Sequence, residues 1–334
     1  MIKIGINGFG RIGRAICRAI FKYSEFNEIE LVGINDLASP EMLAYLLKYD
    51  SVFGKFPYEI SVDGNTFIVN EKKIKIFQEE NPERIPWRET GVDYVIESTR
   101  KFTNANLARK HILAGAKRVI ISAPAKDEDA VIIMGVNEHI YNPTAHFIIS
   151  NASCICVCLA CVLNVLMKYY EIEKVSVTVV QSYTNSQRLL DGIHPWDFRK
   201  TRAAGENIIP VITDISGLMG KVLPELREKV DGISIRVPTP DVSLIDINCI
   251  IKERVTPAEV NKIFKENQNR YLKYIEEPIV SRDLIGEPYS AIIDGLATKV
   301  IDKNLIKILA WYDNEWGYSV RLLDLVKYIS QKEI

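Results

Sequence analysis

The first part of the chain alternates short apolar runs with stretches of helical periodicity. Apolar runs at 2–6 and 29–34 predict buried strands, and the segment from Arg11 to about Tyr23 between them has the spacing of a helix. Further elements of the same two kinds follow at 40–48 (helix), 56–76 (strand meander), 93–98 (strand), 104–114 (helix), 118–122 (strand) and 130–134 (strand). Strands that alternate with helices in this way are typical of a mostly parallel sheet covered by helices.

The pattern changes after about residue 150. An apolar helix is predicted over 154–170, and beyond it apolar and polar positions alternate in longer strands, which predicts a mainly antiparallel sheet with one covered face. These strands lie at 174–182, 232–239, 243–251, 292–301 and 305–312, and a helix at 316–331 ends the pattern. We therefore predict an α/β chain of two domains. They are a doubly wound parallel sheet over 1–150, completed by the C-terminal helix at about 316–334, and an α+β domain over 151–315.

Composition narrows the classes of function. A length of 334 residues favours two domains, and a net charge of −1 gives no electrostatic attraction to nucleic acid or to a membrane surface. No apolar run approaches the roughly 20 residues of a membrane span, and the N-terminus lacks the pattern of a signal peptide. Six cysteines, four of them crowded between 154 and 161, do not resemble a disulfide framework. We predict a cytoplasmic protein without nucleic-acid or membrane partners.

A glycine motif follows the first predicted strand. Gly8, Gly10 and Gly13 form a complete G-x-G-x-x-G that opens a helix, and Asp36 ends the next strand. This is the context of a dinucleotide site, in which the glycines let a pyrophosphate approach the helix N-terminus. Asp36 would bind the ribose hydroxyls and repel a 2′-phosphate, so NAD is favoured over NADP. The alternative is a glycine turn that merely packs a helix on a strand.

A candidate nucleophile stands at the start of the second domain. Cys154 follows the polar run Ser-Asn-Ala-Ser and opens a predicted helix, where the helix dipole lowers the pKa of a thiol. Cys158 and Cys161 fall on the same helix face and are predicted to be core residues, whereas Cys156 lies off that face. Four cysteines within two turns of one helix cannot wrap a tetrahedral ion well, so no metal site is predicted.

Several longer stretches extend these two motifs. They are Ile6-Asn7-Gly8-Phe9-Gly10-Arg11-Ile12-Gly13-Arg14, Ile34-Asn35-Asp36-Leu37, Tyr49-Asp50-Ser51-Val52, Ile121-Ser122-Ala123-Pro124-Ala125-Lys126-Asp127, Ser150-Asn151-Ala152-Ser153-Cys154, Arg202-Ala203-Ala204, Asn207-Ile208-Ile209-Pro210, Arg236-Val237-Pro238-Thr239-Pro240 and Trp311-Tyr312-Asp313-Asn314-Glu315-Trp316-Gly317-Tyr318. Together they resemble the phosphorylating glyceraldehyde-3-phosphate dehydrogenase family over essentially the full chain. The resemblance implies a Rossmann-type NAD-binding domain, a catalytic domain and a homotetramer.

The resemblance also implies a mechanism. Cys154 would attack an aldehyde to form a thiohemiacetal, a hydride would pass to NAD, and inorganic phosphate would split the resulting thioester. The implied cofactor contacts are Gly8, Gly10, Arg11, Ile12, Gly13, Asp36, Ser122 and Asn314, the last of which would orient the nicotinamide amide. The implied contacts to the phosphorylated aldehyde are Thr184, Arg199 and Arg236, and Ser153 and Thr213 would line a second anion site. Outside the family context, the two arginines would be interpreted as surface residues.

The sequence departs from the family at the chemistry itself. The family's histidine base falls on Gln181, which cannot take up a proton, and loss of general-base assistance typically costs about 10²–10⁴-fold in rate. Ile155 removes a hydroxyl beside one phosphate site, and Asp214 adds a negative charge beside the other. Further replacements are Phe53 for a histidine and Arg100-Lys101 for a Gly-Val pair near the cofactor.

Three hypotheses follow from the family resemblance and these departures. The first is a dehydrogenase of glyceraldehyde 3-phosphate with a remodelled site, or its variant for erythrose 4-phosphate. Stretches at 194–195, 199–202 and 210–213 resemble the erythrose subfamily equally well, although that subfamily also keeps the histidine. The second is a catalytically weak paralogue that binds NAD in a regulatory or binding role. The third is a structural subunit in a mixed tetramer with an active partner.

Overall fold

The computed structural model describes residues 1–333, which divide into two compact units. The first unit runs from Met1 to Ser153 and takes up the chain again from Ser319, and the second unit is Cys154–Tyr318. Each unit is built around a sheet of its own. Within residues 1–333, no helix combines the length and apolar character that a membrane crossing requires.

The first unit contains a mostly parallel sheet. Its strands are β1 (Ile2–Asn7), β2 (Ile29–Asn35), β3 (Ile60–Asp63), β4 (Thr66–Val69), β5 (Lys72–Phe77), β6 (Tyr94–Glu97), β7 (Arg118–Ile121), β8 (Ala130–Val131) and β9 (Ile148–Ser150). They lie in the order β3-β4-β5-β2-β1-β6-β7-β9-β8, and the β3–β4 and β4–β5 pairs are antiparallel. The central strands are buried on both faces, as parallel strands between helices must be. The prediction of a doubly wound parallel sheet is confirmed.

Short helices connect these strands. They are α1 (Arg11–Lys22), α2 (Pro40–Lys48), α3 (Trp87–Thr90), α4 (Ala105–Ala108) and α5 (Lys110–Leu113). Helix α2 begins at the predicted residue. The Ser39 hydroxyl accepts the Met42 N–H at 3.3 Å and Pro40 occupies the first turn, and both features are typical of a helix N-terminus.

The second unit contains a mixed sheet in which antiparallel pairs predominate, as predicted. Its strands are β10 (Ile172–Ser182), β11 (Ile209–Val211), β12 (Val230–Val237), β13 (Ser243–Ile251), β14 (Leu272–Ile275), β15 (Ala291–Asp294), β16 (Lys299–Ile301) and β17 (Leu305–Tyr312). They follow the order β11-β12-β10-β13-β17-β15-β14, with β16 beside β17, and the β10–β12 and β14–β15 pairs are parallel. The helices are α6 (Cys154–Met167), α7 (Ile215–Val222) and α8 (Pro257–Glu266), and α9 (Trp316–Gln331) follows. Burial of α6 on nearly every side explains its apolar composition.

Some predicted elements are wrong in extent. The predicted helix at 104–114 is two single turns, α4 and α5, and the predicted strand at 130–134 pairs only over Ala130–Val131. The predicted strand at 292–301 is interrupted after Asp294, where the Asp294 carbonyl accepts the Ala297 N–H in a turn. The strands and α-helices that the pattern missed are β9, β11, β14, α3, α7 and α8.

Candidate active site

The glycine motif of the first unit forms a tight turn between β1 and α1. Gly8 has φ +94°, a left-handed conformation that favours glycine. A Cβ on Gly13 would lie 2.4 Å from the Gly8 carbonyl oxygen, so α1 and the turn are in direct backbone contact. A Cβ on Gly10 would meet nothing within 4 Å. The motif therefore combines a helix packed closely against its strand with open space at the turn, which fits a pyrophosphate.

The carboxylate of Asp36 is fixed beside this turn. Its Oδ2 accepts the Phe9 N–H at 2.8 Å, and its Oδ1 accepts the Ala38 N–H at 3.1 Å. Asp36 directly follows β2, so it lies at the carboxyl edge of the parallel sheet, where doubly wound folds bind their ligands. The glycine turn and this fixed negative charge fit NAD.

A buried polar network lies behind the turn. Asn35 Nδ2 donates to Asn7 Oδ1 at 2.7 Å, and Asn7 Nδ2 donates to Glu97 Oε2 at 2.6 Å. The Trp87 indole N–H donates to His111 Nδ1 at 3.0 Å, so His111 Nε2 carries a proton and donates to Glu97 Oε2 at 3.1 Å. The network thus links the last residues of β2, β1 and β6.

The same network fixes the segment that follows β6. The other oxygen of Glu97 accepts the N–H of Thr99 at 2.7 Å, and the Ser98 hydroxyl donates to the Gly8 carbonyl at 2.7 Å. Ser122, predicted to contact the cofactor, is buried and its hydroxyl donates to the Glu97 carbonyl at 3.0 Å. The glycine turn is therefore attached to two neighbouring strand ends.

Arg11 opens α1 and forms an ion pair with Asp50. Its guanidinium lies 5.3 Å from the centroid of the Phe53 ring, at the position where the family has a histidine. Burial raises the pKa of Asp50, but the Phe53 N–H, Arg11 and the Val52 N–H outweigh it and hold that pKa below its usual value. Ile12, in the same first turn, is half-buried, and Arg100 is an exposed residue with φ +63°.

In the second unit, the structure brings Cys154 and Gln181 together. Cys154 is the first residue of α6 and is half-buried, while Gln181 lies near the end of β10 with an exposed fraction of 4 %. Gln181 Nε2 donates to Cys154 Sγ across 3.7 Å, although the two residues are 27 positions apart in the chain. The Ser234 hydroxyl donates to Gln181 Oε1 at 3.1 Å on the other side of the amide. The sulfur therefore faces a hydrogen-bond donor.

The remaining cysteines of α6 are core residues, as predicted for Cys158 and Cys161. Cys156, Cys158 and Cys161 are buried free thiols, and burial raises the pKa of Cys158 well above its usual value. In the part of the chain that the structure describes, no cluster of three or more His, Cys, Asp or Glu side chains could hold a metal ion.

Asn314 has a fixed orientation. Its Oδ1 accepts hydrogen bonds from the Ser182 hydroxyl at 2.9 Å and from the Ser243 hydroxyl at 2.7 Å. The residue is buried, with an exposed fraction of 7 %. Because both hydroxyls bind the carbonyl oxygen, the Nδ2 group points elsewhere and can serve as a donor to a ligand.

Two buried carboxyl groups support the segment that carries Asn314. Asp313 accepts the N–H groups of Trp316 at 2.6 Å, Gly286 at 2.8 Å and Glu315 at 3.0 Å. Asp241 lies against Asp313, and burial together with the charge of Asp313 raises the pKa of Asp241 strongly. Asp241 Oδ2 has no N–H or O–H donor among the described residues, as expected of an oxygen that itself carries a proton. Burial also raises the pKa of Asp313, to about 6, and its three N–H donors keep it below that of Asp241, so near neutral pH the proton of the pair lies on Asp241.

The predicted phosphate contacts lie on several segments of the second unit. Arg236, on β12, donates from Nη1 to the Ser182 carbonyl at 2.7 Å. Arg199 lies on an exposed turn, and its N–H donates to Asp197 at 3.0 Å. The Thr184 hydroxyl bonds within its own loop, to Ser186 at 2.9 Å.

The residues predicted for a second anion site are Thr213, which directly precedes the N-cap of α7, and Ser153, which directly precedes α6. Both residues are partly exposed. The neighbouring Asp214 caps α7, and its carboxylate accepts the Gly217 N–H at 2.9 Å. A negative charge therefore already lies at the helix N-terminus beside Thr213.

Sequence reasoning missed the serines that orient the site, Ser182, Ser234 and Ser243. The one available signal was alternation along the strand, since Ser234 lies two positions before Arg236 and so on the same face of β12.

Comparisons with known proteins identify the family of the chain. Residues 2–105 match the model of the NAD binding domain of glyceraldehyde 3-phosphate dehydrogenase, and residues 153–314 match the model of its C-terminal domain. The chain is 50 % identical to a glyceraldehyde-3-phosphate dehydrogenase of Geobacillus stearothermophilus and 48 % identical to glyceraldehyde-3-phosphate dehydrogenase 1 of Bacillus subtilis (strain 168). Each match covers 99 % of both chains. These matches confirm the resemblance and the choice of NAD, and the chain belongs to the glyceraldehyde-3-phosphate dehydrogenase family.

Proposed function

We propose that the chain catalyses the NAD-dependent oxidation of a phosphorylated aldehyde, glyceraldehyde 3-phosphate with inorganic phosphate, through Cys154. The observation that carries the proposal is the half-buried thiol at the start of α6, with the Gln181 N–H donated to its sulfur across 3.7 Å. A helix N-terminus and an N–H donor both favour negative charge on sulfur, which is the nucleophilic form. The same reaction is supported by relatives that are named glyceraldehyde-3-phosphate dehydrogenase and match this chain over 99 % of their length.

The reaction begins when the Cys154 sulfur bonds to the aldehyde carbon and forms a thiohemiacetal. The glycine turn and Asp36 would hold NAD, which would supply the hydride acceptor for oxidation of this adduct to a thioester. The hydroxyl of the adduct must lose its proton as the hydride leaves, and Gln181 has no basic atom that could accept it. That proton therefore goes to solvent, and we expect the step to be about 10²–10⁴-fold slower than with a histidine at this position.

Asn314 and the arginines would position the reactants. The Nδ2 group of Asn314 is available as a donor to the nicotinamide amide because both serine hydroxyls bind its Oδ1. Arg236 and Arg199, with Thr184, would bind the phosphate of the aldehyde, for which guanidinium groups are well suited.

Inorganic phosphate would enter at Ser153 and Thr213 and split the thioester. The Asp214 carboxylate at the start of α7 repels an anion at this place, so we expect a high phosphate requirement. Ser153 and Thr213 would therefore support the last step of the reaction, while Asp214 would weaken the binding of phosphate.

We further propose a cytoplasmic homotetramer. The segment between β10 and β12 exposes large apolar side chains, among them Leu189, Ile193 and Phe198 with exposed fractions of 88 %, 89 % and 91 %. Such a patch is typical of a surface that another subunit covers. Sedimentation of the purified protein as a monomer would refute this part of the proposal.

The enzymatic proposal is tested by NADH formation from glyceraldehyde 3-phosphate, phosphate and NAD. We expect a slow rate in the native protein, none in Cys154→Ser, and an unchanged rate in the control Cys249→Ala, which alters a buried cysteine on β13. The same assay with erythrose 4-phosphate tests the second aldehyde. If neither the native protein nor Gln181→His forms NADH while calorimetry shows NAD binding, the chain is an NAD-binding paralogue and the proposal fails.

A further inference from the structure

We propose that Ser234 is a positioning residue of this site, whose hydroxyl turns the amide of Gln181 so that its N–H, and not its carbonyl, faces the sulfur of Cys154. The inference rests on the proposed role of Cys154 as the nucleophile. Ser234 would thus act on the sulfur indirectly, through its hydrogen bond to Gln181, and determine whether a donor or an acceptor faces Cys154.

The register of the sheet places Ser234 where it can act on Gln181. Strand β12 pairs in parallel with β10, with Ser234 beside Val179 and Arg236 beside Gln181. Paired residues of neighbouring strands point to the same face, so Ser234 and Gln181 are diagonal neighbours on one face of the sheet. The 3.1 Å bond from the Ser234 hydroxyl to Gln181 Oε1 spans this diagonal.

Burial makes the orientation of the amide consequential. Ser234 and Gln181 have exposed fractions of 1 % and 4 %, so water does not readily replace their mutual bond. An amide has a donor end and an acceptor end, and only the donor end stabilises a thiolate. The hydroxyl donates to the carbonyl oxygen and thereby directs the Nε2 group toward Sγ. With the amide reversed, the carbonyl would accept the S–H and stabilise the unreactive thiol instead.

Arg236, paired with Gln181 across β10 and β12, is a cation beside the site. Its Nη1 donates to the Ser182 carbonyl, so variants of Gln181 and Ser234 leave it in place. Burial raises the pKa values of Cys158 and Tyr312 well above their usual values, so both stay neutral near pH 7. Asp313 and Tyr318 also line the small cavity at Cys154, and the Asp313 carboxylate is occupied by three backbone N–H groups. A change in the orientation of Gln181 should therefore be visible in the reactivity of the sulfur.

The test is a double-mutant cycle read by alkylation of Cys154 with iodoacetamide across pH, quantified by mass spectrometry of the Cys154 peptide. Gln181→Met removes the amide and should raise the midpoint of alkylation by about one pH unit, the effect of one hydrogen bond to a charged sulfur. Ser234→Ala leaves the amide but frees its orientation and should raise the midpoint by roughly half as much. Adding Ser234→Ala to Gln181→Met should change nothing further.

Two variants control the cycle. Thr178→Val removes a hydroxyl from the opposite face of β10 and should leave the midpoint unchanged. Ser234→Thr keeps the hydroxyl and should restore the native midpoint, which a loss of packing alone would not explain. Far-ultraviolet circular dichroism and thermal melting check that each variant folds.

The outcomes separate this inference from the proposed function. Three results for the midpoint of Cys154 alkylation would each overturn the positioning role. Ser234→Ala could change the midpoint equally with and without Gln181, leave it unchanged in the native background, or lower it. Slow NADH formation that depends on Cys154 would in that case leave the dehydrogenase proposal standing. Conversely, the expected cycle without NADH formation would sink the dehydrogenase proposal alone.

Discussion

The carboxyl pair formed by Asp241 and Asp313 predicts an unusual pH dependence of stability. Burial raises the pKa of Asp313 to about 6 despite its three N–H donors, and burial with the charge of Asp313 raises the pKa of Asp241 to about 10, so the pair holds one proton between these two values. Asp241→Asn replaces the protonated acid with an amide of similar shape. The amide donates a hydrogen bond to Asp313 at every pH and needs no proton.

The magnitude follows from proton linkage. Both carboxyl groups are ionised in the unfolded chain above about pH 5, since an ordinary aspartate has a pKa of about 3.9. The native fold then binds one proton more than the unfolded chain, so its stability falls as pH rises until the raised pKa of Asp241 is passed. The slope is about 1.4 kcal/mol per pH unit. From pH 6 to pH 8, the variant should therefore gain up to about 3 kcal/mol of unfolding free energy relative to the native protein.

The assay is urea unfolding followed by tryptophan fluorescence at pH 6, 7 and 8. Taking the difference between variant and native protein cancels the other titrating groups. Asp246→Asn is the matched control, because this partly exposed carboxylate on β13 pairs with Lys307 and not with another carboxyl group. Parallel profiles of the native protein and Asp241→Asn across this range would refute the shared proton.

The remaining predictions concern the reaction and the cofactor. Gln181→His should raise the rate of NADH formation by about 10²–10⁴-fold, because a histidine can accept the proton. Alkylation of Cys154 in this variant should depend on the titration of two groups. An unchanged rate of NADH formation would show that proton removal is not limiting. Ser243→Ala should raise the KM for NAD about 5- to 10-fold with a smaller change in kcat, because Asn314 loses one of two orienting bonds; equal loss in kcat alone would contradict this. Asp36→Ala should reduce the preference for NAD over NADP in calorimetric titrations, with thermal melting as the check that the loss of the Phe9 contact leaves the fold intact.

Regular elements were predictable where local signals agreed. The helix at 40–48 and the strands at 243–251 and 305–312 have the predicted bounds, because capping or strict alternation marks them. The prediction of one continuous strand over 292–301 is wrong because the chain turns at Gly295, where a tertiary contact leaves no room for a side chain. A Cβ on Gly295 would lie 2.2 Å from the Tyr274 hydroxyl, a contact that no local pattern reveals.

Residues of the candidate site could be proposed from the sequence where they fall within a motif of the family, as Cys154 and Gln181 do. Its orienting groups were not, because they come from distant segments that sheet register brings together. Ser234 is 53 positions from Gln181, and Ser182 is 132 positions from Asn314. Such pairs become visible once the strand order is known.

The network of Asn35, Asn7, Glu97, His111 and Trp87 has a thermodynamic consequence for the cofactor. Its hydrogen bonds are complete within the protein, so the glycine turn has its shape before NAD arrives. Little conformational entropy is then lost on binding, and hydrogen exchange at the ends of β1, β2 and β6 should be slow in the apoprotein and almost unaltered by NAD. Cofactor affinity in this chain should therefore lose little to the ordering of the glycine turn on binding.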